Sequence, residues 1–220
     1  METAQDYLQA AGKSLDRGET TQALIFAQHA SSLTRDTTEK ARAEQLEGIC
    51  NRLLGQYDAA QAFFAAAYSH AEDDLLRGRI QRDWGMMFLA RQDTLRAMVH
   101  MLASKDLIGS VRSDRPHDDE VHTEYYVTVG FIGRVHLANK RKPEAREALR
   151  VADAYLRGYA PYELNNLVWR LKTMHLPSRL KHGWRALRLA TAAGHHRRQI
   201  EVVLMTLSPA LARRVSARQA

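Results

Sequence analysis

The sequence predicts an all-α chain, a solenoid of about five stacked helical hairpins with a C-terminal capping helix. Three observations carry that expectation. First, residues at i, i+4 and i+7 recur as Ala23/Ala27/Ala30, Ala60/Phe64/Ala67, Ala97/Met101/Ser104, Ala145/Leu149/Ala152 and Gly183/Leu187/Ala190, with leading positions 37, 37, 48 and 38 residues apart. Second, a small residue stands twelve positions before four of these units, at Ala11, Gly48, Gly85 and Gly133, while Leu171 occupies that place in the fifth. Third, turn-forming residues separate segments of helical apolar period. Antiparallel helices approach closely only where small side chains meet, and a hairpin too small for its own core buries its face on the next.

Taken in order, the hairpins are expected at about 4–34, 37–73, 75–107, 119–158 and 161–193. The first opens with Tyr7, Leu8, Ala11 and Leu15 at helical spacing and turns at Gly18. The third helix, from Thr37, is read as capped by its Thr and turns through Gly55-Gln56-Tyr57-Asp58; Trp84, Met87 and Phe88 give the fifth helix its bulk, and Asp93-Thr94 makes the next turn. Residues 108–118, rich in Gly, Ser, Asp and Pro, read as a surface loop. The seventh helix, Asp119 to Ala138, carries Tyr125, Tyr126, Val127, Val129, Phe131 and Ile132 with two glycines, so a strand through Tyr125 to Ile132 is the competing reading. Pro143 and Pro161 suit first helical turns. Leu176-Pro177-Ser178 is read as a turn into a helix from Arg179, and Gly194 as its C-cap. Residues 194–220 form a basic cap and tail.

The stretch Gly48 to Ala67, with Gly48, the Gly55-Gln56-Tyr57-Asp58 turn, Ala60, Phe64 and Ala67, resembles a tetratricopeptide repeat. The resemblance extends over residues 4 to 193. It departs from the family pattern in lacking the Trp that opens the first helix and the Pro that closes the second, and in its 37-residue spacing. What it implies is a right-handed α-solenoid whose first helices line a concave groove, working as a protein-interaction scaffold or adaptor. The groove-facing positions would be Arg42, Gln45, Ile49 and Arg52; Arg79, Arg82, Met86 and Leu89; Val127, Gly130, Arg134 and Leu137; and Asn165, Val168, Lys172 and His175.

Composition narrows the classes. No apolar run reaches the length of a membrane span and the first residues lack a secretory pattern, so a cytoplasmic protein is expected. The single Cys50, set among small helical residues, reads as a packed thiol. Charge is divided: residues 1–110 hold 12 Lys and Arg against 15 Asp and Glu, residues 111–220 hold 20 against 10. Guanidiniums alternating with apolar positions in the implied groove suit an acidic or amphipathic peptide of another protein. Self-association through the end repeats is a further expectation.

A second reading uses the basic surface of Arg179, Lys181, Arg185, Arg188, Arg197, Arg198, Arg213 and Arg214 to meet nucleic-acid phosphates, with Tyr162, Trp169 and Trp184 near enough to stack or to pack a core. No nucleic-acid-binding motif accompanies it. His117 and His122 flank acidic residues but lie five apart, outside the favoured helical spacings for two metal ligands, and read instead as an acidic helix start. Nucleophile elbows, phosphate-binding glycine loops and zinc-protease motifs are absent, so neither catalysis nor a cofactor is expected.

Overall fold

The structure, a computed structural model, describes residues 3–157, 162–174, 176–192, 202, 203 and 206. Among them are ten helices: α1 (Ala4–Asp16), α2 (Thr20–Leu33), α3 (Thr37–Leu53), α4 (Tyr57–His70), α5 (Asp74–Ala90), α6 (Thr94–Asp114), α7 (Asp119–Ala138), α8 (Lys142–Tyr155), α9 (Tyr162–Leu171) and α10 (Leu176–Ala192). They fall into two compact units, Met1–Thr128 and Val129–Ala220, with the boundary inside α7.

The recurring register is the buried register. Ala23, Ala60, Ala97 and Ala145, the residues four later and the residues seven later are all fully buried in the first four hairpins. In the second, third and fourth hairpins the glycine on the first helix makes room for the large residue on its partner: Gly48 for Phe64, Gly85 for Met101 and Gly133 for Leu149. A Cβ added to Gly48 would stand 2.7 Å from Phe64 Cε1, and one added to Gly133 would stand 2.7 Å from Leu149 Cγ. Both distances lie well inside van der Waals contact, so the bare backbone is what lets the helices cross.

Helix starts follow side-chain chemistry. Thr3 and Asp6 form a capping box, with Thr3 N–H donating to the Asp6 carboxylate at 2.8 Å and Asp6 N–H donating to Thr3 Oγ1 at 3.2 Å. At α3 the cap is Asp36, which accepts from Glu39 N–H at 2.8 Å; Thr37 is already inside the helix. A carboxylate there meets both the open N–H groups and the positive end of the dipole.

Four hairpins share one turn. The N–H groups of Glu19, Gln56, Asp93 and Arg141 donate to the carbonyls five residues back, at 2.9, 2.8, 2.9 and 2.9 Å. The residue before each has a left-handed backbone: Gly18 at φ 78°, Gly55 at 77°, Gln92 at 63° and Lys140 at 61°. This is the Schellman closure, which suits glycine.

Three expectations need correction. Residues 108–114 are helix, not loop: α6 runs to Asp114, and only residues 115–118 interrupt the chain before α7. Nothing in that stretch forbids a helix, and tertiary contacts reward one. Ile108 is fully buried in the space Gly78 leaves, Ser113 Oγ donates to the Gly109 carbonyl at 3.0 Å, and the Arg112 guanidinium lies 4.7 Å from the Tyr125 ring centre. The additional residues thus lengthen a hairpin instead of forming a loop. The strand alternative is excluded, since α7 is helical throughout: Thr128 Oγ1 bonds back to the Glu124 carbonyl at 3.0 Å, and burial of Val121, Tyr126, Val127, Ile132 and Val135 overrides weak propensity. Lastly, α10 begins at Leu176, because Pro177 in a first turn has no N–H to lose; α9 stops at Leu171, short of the expected His175, which lies outside the described residues together with Gly158, Pro161 and Gly194.

In the second unit the core gathers Leu164, Leu167, Val168, Leu171, Ala186, Ala190 and Val202. Of the expected cap and tail, the described residues 202, 203 and 206 are helical, and Val202 is a member of that core.

The turn geometry yields a prediction. A non-glycine residue in the left-handed region costs about 1–2 kcal/mol, while glycine loses about 0.4–1 kcal/mol through the freedom it adds to the unfolded chain. Gln92→Gly and Lys140→Gly are each expected to raise unfolding stability by roughly 0.5 kcal/mol or more. Urea denaturation measures this, and a loss of stability in both would contradict it.

Candidate functional site

In the first unit α1 touches α3 and α3 touches α5, so the three first helices lie side by side. Their exposed junction forms a cleft of about 290 Å³. Leu8, Leu46 and Leu76 give it an apolar base, Gln5, Gln9 and Gln45 line it with amides, and Arg42 and Arg79 supply its charge. Leu8 and Leu76 are also core residues, so the base is held in place by the fold.

The two arginines differ in kind. Arg79 pairs with Glu120 and with Glu124, Nε to Oε1 at 3.0 Å, and Arg82 pairs with the same Glu124. Burial pulls the Arg79 guanidinium down, but Glu124 and Glu120 more than reverse it. Arg42 is exposed and, among the described residues, has no carboxylate partner. Deeper in the layer, Gln45 Nε2 donates to Asp83 Oδ2 at 2.7 Å. Burial pushes the Asp83 carboxyl up against the opposing pull of Arg82, Gln45 and Arg52, and burial pushes Arg52 down. Cys50 is buried and its thiol is pushed up to about 11 by burial, with Glu47 adding to the shift, which leaves it inert.

The structure sorts the expected groove positions. Arg42, Gln45 and Arg79 meet in the cleft, and Ile49, Arg52, Met86 and Leu89 are partly exposed along the same helices. Arg82 is buried and ion-paired, contrary to the expectation of a residue offered to a ligand. Arg134 is also buried, with its guanidinium 4.1 Å from the Phe131 ring centre and 5.2 Å from that of Trp169. Lys172 Nζ stands 3.6 Å from the Trp169 centre, so that indole is engaged by two cations of its own chain. Val127, Gly130 and Val168 are buried, Leu137 is partly exposed, and the Asn165 side chain is outside what is described.

Sequence reasoning missed two sets of residues. The first comprises Gln5, Leu8 and Gln9, because the groove positions were counted from the second hairpin onward. The second comprises Glu120 and Glu124, four apart on α7 opposite Arg79 and Arg82, a spacing legible as complementary charge across neighbouring helices. His122, weighed as a ligand, has Nδ1 accepting from Arg112 Nε at 3.0 Å and Nε2 at 2.8 Å from the Pro116 carbonyl.

On the basic surface Arg185 turns inward to Glu163 and Asp153, Arg179 is half-buried and Arg188 is exposed. The Lys181 side chain and Arg197, Arg198, Arg213 and Arg214 lie outside the described residues. No described helix is long and apolar enough to cross a membrane.

No family model matches the chain, and no curated protein matches it. Solved structures do. It is similar to pilF of Pseudomonas aeruginosa at 16% identity, covering 99% of this chain and 97% of that one with a TM-score of 0.54. It is similar to the TPR-like repeats of a putative kinesin light chain from Podosopora anserina at 13% identity, covering 100% and 99%, TM-score 0.55. BtubC (BKLC) from P. vanneervenii is similar at 12% identity, covering 98% and 80%, TM-score 0.55. The fold is therefore a TPR-like, all-α helical repeat.

The shared glutamate predicts a pH response. Burial pushes the Glu124 carboxyl up, but Arg82 and Arg79 more than offset this and hold it below its ordinary value. A carboxylate whose folded value is lowered contributes stability that is complete above the unfolded value, about 4.3, and is lost as pH falls through the folded one. Glu124→Gln removes the charge that Arg82 and Arg79 share on this carboxylate and is expected to cost about 3 kcal/mol at pH 7, and less at pH 3.5. Denaturant unfolding of both proteins at the two pH values checks it; a gap that does not narrow would contradict it.

Proposed function

We propose that the chain is a protein-interaction module that holds an acidic, amphipathic segment of another protein in the cleft of α1, α3 and α5. The observation that carries this reading is Arg42, an exposed cation with no carboxylate partner among the described residues, standing over a base of Leu8, Leu46 and Leu76. The apolar base takes one face of the segment, the glutamine amides can bond its polar groups, and Arg42 meets a carboxylate.

Arg79 plays another part. Its charge is matched by Glu120 and Glu124, so it gives the wall shape and rigidity more than attraction. Among the described residues, the titratable groups lining the cleft are two arginines, which suits binding rather than chemistry. A surface already held by core residues needs little ordering of its own, so the cost of ordering falls on the partner. The TPR-like fold is compatible with such a role, and nothing at the described basic surface favours the nucleic-acid reading over it.

The test is fluorescence anisotropy with a panel of labelled acidic amphipathic peptides. Arg42→Glu is expected to weaken the best binder by ~10-fold or more, since it replaces a charge-assisted contact with repulsion. Equal affinity for both proteins would refute the assignment.

A further inference from the structure

A second cavity lies wholly in the other unit. Arg146 and Arg150 reach it from α8, Arg170 with Thr173 and Met174 from the end of α9, and Ser178 with His182 from the first turns of α10. Its volume is about 220 Å³, and no carboxylate is among the described residues that line it.

We propose that this cavity binds a phosphate monoester. Arg146 Nη2 donates to the Thr173 carbonyl at 3.2 Å, which fixes the guanidinium in place. Among the described residues it has no carboxylate partner. Arg150 is bidentate to Glu147, at 3.0 and 2.6 Å, but that pair is more than half exposed, so water and salt screen it and an anion can compete for the guanidinium. Arg170 is anchored by Asp153 and brings a second side of the cavity into register.

The arrangement suits phosphate better than carboxylate. A carboxylate has two oxygens and is satisfied by one guanidinium fork, whereas a phosphate monoester presents three terminal oxygens and close to two negative charges. Here Arg146 and the exposed Arg150 line the cavity together with Ser178 at the start of a 17-residue helix, whose dipole adds to the positive field, while Arg170, its charge matched by Asp153, gives the wall its shape. Met174 leaves an apolar side for the ester carbons. At this volume the cavity falls below the ~300 Å³ from which pockets take a whole drug-sized ligand, so it takes a head group and not the body behind it. The site shares no residue with the cleft of the first unit, and either reading can fail without the other.

Calorimetric titration of the full chain with inorganic phosphate, a phosphoserine peptide, and the same peptide carrying serine or glutamate tests the proposal. The expected result is saturable binding of the phosphoserine peptide, with the serine and glutamate forms at least ~10-fold weaker, and loss of ~10-fold or more in Arg146→Ala and in Arg150→Ala. Arg146→Lys, which keeps the charge without the fork, should fall between. Inorganic phosphate binding as tightly as the peptide would support the site and identify the free anion as its ligand. If neither phosphate form binds, if glutamate equals phosphoserine, or if both alanine variants keep wild-type affinity and thermal melting, the proposal is overturned.

Discussion

The architecture depends on how closely two helices may cross. At Gly48 and at Gly133 the backbone of a first helix is bare where the partner brings in Phe64 and Leu149, and even one methyl group would collide with those side chains. Two weakly apolar helices thereby become a unit thin enough to stack. Hairpins that differ in length, as the third and fourth do through the extended α6 and α7, still keep the crossing and its turn. The repeated element is thus a contact, and helix length is free to vary around it.

Once the helices are stacked, charge has to be managed between them. Arg82 and Arg134 are almost wholly removed from water, where an unpaired guanidinium would cost several kcal/mol. Arg82 is matched by Glu124 on a neighbouring helix, and Arg134 lies against aromatic faces. In the second unit Asp153 and Glu163 do the same for Arg170 and Arg185. A basic sequence therefore gives a less basic set of available cations than its composition suggests. Arg42 in the cleft and Arg146 in the second cavity stand out because this internal matching passes them by.

Much of the fold was legible because it rests on residue size at fixed spacing, a property a sequence displays directly. The triplets from Ala23 to Ala152 and the turns at Gly18 and Gly55 are of this kind. The extension of α6 was not legible: Gly109, Ser110 and Ser113 have the composition of a loop, and only Ile108 filling the space at Gly78 makes the helix worth continuing. The cleft was half legible. Register placed Arg42, Gln45 and Arg79 on one face, but the pairing that removes Arg82 from that face depends on Glu124, forty-two residues away. Distance along the chain says nothing about which acid will answer which base.

The central claim is that bare backbone at the crossing, and not glycine as such, sustains the fold, and Gly12 provides the control. Both Gly12 and Gly48 are helical, but a Cβ at Gly12 would meet nothing within 4 Å. Helix propensity alone makes alanine better than glycine by about 1 kcal/mol at either position. Overpacking a core costs about 1–3 kcal/mol. Equilibrium urea unfolding of Gly12→Ala and Gly48→Ala beside the parent is the direct measurement: the account predicts that the first gains stability and the second loses it, and an equal gain in both would contradict it.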